Sequence, residues 1–245
     1  MRILDLNIEN SGYYEIIQAI ISNLSIKSLY SFSYFNVYVA ITARKNPFLK
    51  NDLNKFCVLY SDGIGVFWAS KFLFGKQGLK ERINGTDLYS KILDLAQKNN
   101  YKIFFFGGGE KAALSLEANL RKKYPNLLIG GIIKRDLNYD ESVLQKINQS
   151  NSDILFLGLG TPYQEKWIAT LGKKCNIPIQ ISVGSGIDFL AGSYKRAPLI
   201  FQKFGLEWFF RLLLEPKRLW KRYLIGIPTF IILIIKQKLS GKIQL

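Results

Sequence analysis

Apolar and polar positions along this chain follow two periods in turn, and the alternation outlines an architecture. Ile16, Ile17, Ile20, Ile21 and Leu24 recur at helical spacing, and residues 29–35 form an apolar-rich run of the kind that makes a strand. A helix reaching Arg44 follows, and Pro47 is expected to stop it. Residues 57–60 (CVLY) are a short buried-type strand that delivers Asp62 to its carboxyl end. Leu88, Ile92 and Leu95 keep one helical face, 102–106 is a strand running into Gly107-Gly108-Gly109, and Ala113, Leu116 and Leu120 mark the next helix. A strand at 127–131, a helix at 141–149, a strand at 154–157, a helix at 164–173 and a strand at 179–183 continue the series. Strands separated by helices need crossover connections, so the expected class is α/β: a Rossmann-like, mainly parallel sheet with helices on both faces. Ligands of such sheets gather beyond the carboxyl ends of the strands.

The pattern changes near Lys195. From Gly205 it reads LEWFFRLLLEPKRLWKRYL, an aromatic and leucine helix carrying arginines, with Pro216 suited to the first turn of a new helix. Arg211, Glu215, Arg218 and Arg222 fall at i, i+4, i+7 and i+11 and would share one face if the helix direction were kept. Residues 224–235 are largely apolar but contain Gly226 and Pro228, and they fall short of the roughly 20 residues a bilayer crossing needs. They read as a segment lying in the membrane interface, with Trp208 and Trp220 as anchors and arginines for lipid phosphates. The expected division is a catalytic α/β domain over 1–194 and a basic amphipathic helical appendage, membrane-binding, over 195–245.

Charge reinforces this picture. Against 18 Asp and Glu stand 34 Lys and Arg, a net +16 and a pI near 9.7, which favours anionic partners: nucleic acid, anionic lipid or phosphorylated substrates. The stretch from Lys195 onward holds eleven basic and two acidic residues, Lys242 among the former, and so more than half of the excess. A nucleic-acid-binding tail is the rival reading, but bulky apolar residues interleaved with arginines and an isoleucine-rich end suit lipid better. Two cysteines, Cys57 and Cys175, imply no disulfide framework, and the absence of histidine removes His-based acid/base chemistry and most zinc sites. The N-terminal MRILDLNIEN lacks the basic-then-apolar run of a signal peptide, which points to a cytoplasmic protein. At 245 residues and 48% hydrophobic content the chain can bury one substantial core, and a homo-oligomer is compatible with it.

Candidate chemistry sits at the predicted strand ends. Asp62, followed by Gly63 and Gly65, is either a helix-capping or turn aspartate or a general base able to take a proton from a hydroxyl. Gly107-Gly108-Gly109, Gly158-Leu159-Gly160-Thr161 and Gly184-Ser185-Gly186 follow apolar strands, and the first two precede helices. Such glycines either make tight turns or let backbone amides approach a phosphate. Three at one sheet edge favour a nucleotide or sugar phosphate, while the lack of GxGxxG or GxxxxGK[ST] argues against a dinucleotide oxidoreductase or a P-loop. Gln164 could bond a ligand, whereas Glu165 and Lys166 suit a solvated first turn. Asp188 and the run from Lys195 to Pro198 suit either surface turns or a site rim. Carboxylates are scattered, so no obligatory metal and no cofactor are expected, with arginines and backbone amides offsetting the charge of a leaving group.

Taken together, SDGIGVFWASKFLFG with ERINGTDL, FFFGGG, FLGLGTPYQEKW, GSGIDFLAGSYKRAP and GLEWFFRLLLEPKRLWKRYL resemble the WecG/TagA/CpsF family of bacterial glycosyltransferases. The resemblance runs in order from Asn36 almost to the end. It implies metal-free, inverting transfer of a sugar, N-acetylmannosamine or its uronic acid in the best-known members, from a UDP-sugar to a polyprenyl-diphosphate-linked N-acetylglucosamine. It places this enzyme of surface-polysaccharide or teichoic acid synthesis peripherally on the inner face of the cell membrane. Asp62 then matches the proposed base. Arg82, with Asn84 beside it, matches the ER(V/I)xG block, and Gln164 the PxQE block. Arg211, Arg218 and Lys221 or Arg222 match basic residues that the appendage brings over the site to meet acceptor diphosphate. Asn36, the three glycine turns with Thr161, Gln164 and Asp188 fall to the donor side, and Tyr34, Arg82 and Asn84 join the basic residues on the acceptor side. Tyr34 stands where teichoic-acid-type relatives carry threonine and Ser185 where relatives often have glycine, which leaves a hexosyl donor such as glucose as the alternative.

Overall fold

Six parallel strands form the centre of the computed structural model, which describes residues 1–138 and 141–241. Their order across the sheet is β4 (Val58–Ser61), β3 (Tyr30–Phe35), β8 (Ile179–Ser182), β7 (Ile154–Gly158), β5 (Lys102–Gly107) and β6 (Leu128–Ile133). Alternate side chains of a strand point to opposite faces, and the two cores follow that rule. Phe32, Val58, Tyr60, Phe105, Phe156 and Ile181 pack under α1 (Tyr13–Ser25), α5 (Gly85–Asn99), α6 (Glu110–Lys123) and α9 (Gly186–Leu190). Phe35, Leu59, Phe104, Phe106, Leu155 and Leu157 pack under α2 (Val37–Lys45), α3 (Pro47–Leu53), α4 (Ile64–Phe74), α7 (Glu141–Gln149) and α8 (Tyr163–Leu171).

Some local expectations change. Pro47 does end α2, but it also opens α3, whose cap Asn46 accepts from the amides of Phe48 and Leu49; a proline fits the first turn, where its missing N–H has no intrahelical partner. A two-stranded antiparallel hairpin, β1 (Arg2–Ile3) with β2 (Leu6–Asn7), lies outside the sheet and is too short to leave a periodic signal. The turn at Gly184 also precedes a helix, α9, contrary to expectation.

The C-terminal segment consists of α10 (Leu199–Lys203), α11 (Glu207–Leu214), α12 (Pro216–Trp220), a π turn over Lys221–Ile225 and α13 (Gly226–Leu239). α13 packs on α2 and α4 and gives Phe230 and Ile234 to the core. Its Gln237 accepts from the Leu4 amide and donates to the Arg2 carbonyl, and Lys238 donates to the Leu73 carbonyl. Residues 242–245, Lys242 included, lie outside the described residues. Among the described residues no helix is long and apolar enough to cross a membrane.

Candidate active site

The carboxyl ends of β4, β3, β8, β7 and β5 open into one cavity of about 900 Å³, roofed by the C-terminal helices. Asp62 sits at its floor. Its backbone amide continues the sheet by bonding the Phe35 carbonyl at 2.9 Å, and Gly63, at φ 85°, turns the chain into α4. The carboxylate accepts from the Gly85 amide at 3.0 Å, the first residue of α5, and from Asn36 Nδ2 at 3.2 Å. Asp62 is therefore both of the things its sequence context allowed: it satisfies a helix N-terminus, where negative charge is favoured, and it lines the cavity with lone pairs to spare. Asn36 caps α2 through the Val39 amide while orienting Asp62.

Behind Asp62, Tyr60 and Tyr89 share a 3.1 Å hydroxyl contact. Burial pushes both phenols well above the ordinary range; the Asp62 charge adds to the rise in each, and in Tyr89 the Tyr60 charge contributes more. They stay neutral and present no competing base.

The three glycine turns divide their labour. Gly109, Gly158, Gly160 and Gly184 line the cavity together with Thr161, Asp188 and Ser185. Gly107 and Gly108 are not among the lining residues. A Cβ on Gly107, at φ 138°, would lie 2.4 Å from the Gly158 backbone, so its place is set by the close approach of β5 and β7. Asp188 accepts from the Gly109 amide at 3.1 Å. Gln164 is fully buried and lies behind the lining: its Oε1 accepts from the Gly160 and Gly184 amides at 3.3 and 3.0 Å, and its Nε2 donates to Tyr34 Oη at 3.1 Å. It ties two turns together and supports Tyr34. The Tyr34 hydroxyl lies 3.4 Å from Thr161 Oγ1, and a Cβ on Gly184 would come within 2.5 Å of it. Burial, aided by the Glu165 charge, pushes the Tyr34 phenol up to about 12.

Three arginines from the basic helices reach the same cavity. Arg211 lies over the Phe189 ring at 5.2 Å, Arg218 over Tyr194 at 5.4 Å and Arg222 over Tyr38 at 4.5 Å. Arg218 is paired with Glu215 through two 2.7 Å bonds. Arg211 Nη2 and Arg222 Nε are buried with no hydrogen-bond partner among the described residues. Buried donors left unsatisfied cost free energy, and an anion in the cavity would answer both. Lys221 is not among the lining residues and lies against the Trp220 ring. Arg82 is also outside the lining; it donates to the Gln202 carbonyl at 2.9 Å. With Arg196 on Asp87 at 2.7 Å and Asn84 Nδ2 on Glu207 at 2.7 Å, it clasps the C-terminal segment to the loop that supports Asp62.

Several cavity residues had no clear sequence signal. Glu207 is held between Asn84 and the cavity, and burial keeps its carboxyl above the ordinary range, with Arg196 opposing the rise and Asp62 adding to it. Arg135, beyond β6, lines the glycine side. Trp208, expected as a membrane anchor, lines the cavity, its ring tilted against Tyr223 at 5.7 Å. Glu165, read as solvated, is fully buried; burial raises its carboxyl to about 7 while it accepts from Gln164 and Thr161 at 2.8 and 3.0 Å. Among the described residues no three Cys, Asp or Glu side chains converge on a point that could hold a metal ion.

An α/β sheet whose carboxyl edge carries a carboxylate, glycine turns and unpaired guanidinium groups is laid out for transfer of a group from a phosphorylated donor. The model of the glycosyl transferase WecG/TagA/CpsF family matches residues 1–244, and the chain belongs to this family of glycosyltransferases. It is 35% identical over 189 residues, covering 76% of this chain and 72% of the relative, to the N-acetylglucosaminyldiphosphoundecaprenol N-acetyl-beta-D-mannosaminyltransferase of Staphylococcus aureus strain NCTC 8325 / PS 47. The enzymes of the same name from strains COL and MRSA252 match equally.

Proposed function

We propose that this enzyme moves N-acetylmannosamine from a UDP-sugar to N-acetylglucosamine carried on a polyprenyl diphosphate, with inversion and without a metal ion. The observation that carries the reading is the meeting of Asp62 with the unpartnered Arg211 and Arg222 donors in one cavity. A sugar hydroxyl is a weak nucleophile. Asp62 takes its proton as the oxygen attacks the anomeric carbon from the face opposite the leaving group; the bond to the diphosphate breaks and UDP departs with the electron pair. The open turns at Gly109 and Gly160, with Ser185 and Arg135 also lining that side of the cavity, suit the donor diphosphate, and the guanidinium groups of Arg211, Arg218 and Arg222 suit the acceptor diphosphate.

The substrate class agrees with the relatives' names. Peripheral attachment to the inner membrane face follows from an acceptor anchored in lipid, and exposed Leu213, Leu214, Leu224, Ile225 and Ile232 beside lysines give the C-terminal helices a surface for it. Incubating the enzyme with a panel of UDP-sugars and a short polyprenyl-diphosphate N-acetylglucosamine, then weighing the products, tests the reading. The expected product gains one N-acetylhexosamine; a hexose adduct would instead favour the glucosyl alternative, and no adduct from any donor would refute the transferase assignment to this acceptor.

A further inference from the structure

The cavity around Asp62 continues past the arginines between α4 and α13, where its lining becomes apolar: Trp68 and Phe72 from α4, Ile227, Ile231 and Ile235 from α13. Phe72 and Ile231 are 52% and 51% exposed, high values for large apolar side chains in a concave place. The helical period sorts α13 into three stripes. Phe230 and Ile234 are buried in the core and also border the cavity, Ile227, Ile231 and Ile235 line the groove at i, i+4 and i+8, and Ile232 and Leu239 face out. The groove stripe spans about 12 Å along the helix axis. Arg222 stands at its inner end, and at its outer end Lys238 lies 5.9 Å from the Phe72 ring while bonding the Leu73 carbonyl.

We propose that this groove holds the first isoprene units of the acceptor's polyprenyl chain, so that the protein itself, rather than the bilayer, binds the lipid nearest the diphosphate. The inference rests on the transferase reading above. Its occupant follows from continuity. A diphosphate seated at Arg211 and Arg222 carries its chain covalently, and that chain must leave the cavity. The sheet edge is lined by Gly109, Arg135 and Asp188 and is polar; the α4–α13 side beyond Arg222 is apolar and open, with Lys238 at its far end. Outward residues such as Ile232 are a separate set available to the membrane. The groove stripe thus has its own ligand, and a chain half-drawn from the bilayer would bury Phe72 and Ile231.

Binding of methyl diphosphate and of farnesyl diphosphate to the full chain, measured by calorimetry without detergent or vesicles, tests this. The wild type should bind the farnesyl compound more tightly by about tenfold or more, the gain expected from burying a few apolar groups. A Phe72→Ser, Ile231→Ser double variant should lose that preference while keeping its affinity for methyl diphosphate and its melting temperature. Phe48→Ser, which removes an 83% exposed ring outside the groove, should change nothing. Equal affinities in the wild type, or a full preference retained by the double variant, would overturn the proposal. A chain-length preference in a protein that transfers no sugar to any polyprenyl acceptor would support the groove while refuting the transferase reading, so the two fail separately.

Discussion

Replacing Glu165 with Gln should make stability less dependent on pH. Glu165 lies at the start of α8, sealed from solvent, where Oε1 accepts from Gln164 and Thr161. Oε2 meets no partner in hydrogen-bonding geometry, although the Ser33 hydroxyl is near enough to draw the carboxyl slightly downward. Burial dominates and lifts the carboxyl from 4.5 to about 7. The sign follows directly: the folded chain holds this proton more tightly than the unfolded chain, so the folded state is favoured below pH 4.5 and loses ground as pH rises to 7. Fully ionised, the group costs about 3 kcal/mol, the equivalent of that rise. Glutamine keeps an acceptor for Thr161 and Gln164 and turns an N–H toward the unpartnered Ser33 oxygen, with no charge to bury. Urea unfolding of both proteins at pH 5 and pH 8 isolates the effect, because all other carboxylates are shared. Glu165→Gln should gain about 2–3 kcal/mol on the wild type between the two conditions. A difference that stays constant with pH would refute the assignment of a buried, late-titrating carboxyl.

Phe230→Ala should destabilise the whole chain by roughly 3–5 kcal/mol in urea unfolding, since this C-terminal side chain is part of the core; a cost under 1 kcal/mol would mean that α13 contributes little to it. Arg222→Ala should raise the acceptor KM by roughly 10- to 100-fold, the loss of one charge-assisted contact, and leave the donor KM alone; a matching rise in donor KM would move Arg222 to the donor diphosphate. Tyr34→Thr opens space beside Thr161 and Gly184 and should change the relative kcat/KM among UDP-sugars with different substituents. An unchanged ranking would show that Tyr34 does not select the donor.

The sheet was legible because its strands are short apolar runs separated by amphipathic helices, a pattern that tertiary packing reinforces. Asp62 and the glycine turns were legible because strand ends are where such sheets bind. Arg211, Arg218 and Arg222 all line the cavity, whereas Glu215, expected on the same face if the helix direction were kept, does not; the backbone passes through a proline and a π turn between them. What the sequence concealed depends on neighbours distant along the chain. Glu165 is buried beside Thr161, Gln164 and Ser33 of β3, and a charged residue in a first turn carries no mark of that. Gln164 contacts two glycine turns and Tyr34 from behind, so its proximity to the site misrepresents its position. Glu207 reaches the cavity only because Asn84, more than a hundred residues earlier, receives it. In the apolar run at 224–235 the residues that enter the core, those that line the groove and those that face outward are equally hydrophobic, so the sequence does not separate them.

The role of Asp62 is tested most directly by single-turnover kinetics of Asp62→Asn. The side-chain oxygen of asparagine can still accept from the Gly85 amide, so the loop and the cavity should persist and UDP affinity should stay within about twofold of wild type. The rate of sugar transfer should fall by about 10²–10⁴-fold, the range expected when a general base is lost. An asparagine variant that transfers sugar at a near wild-type rate would contradict the assignment of Asp62 as the base.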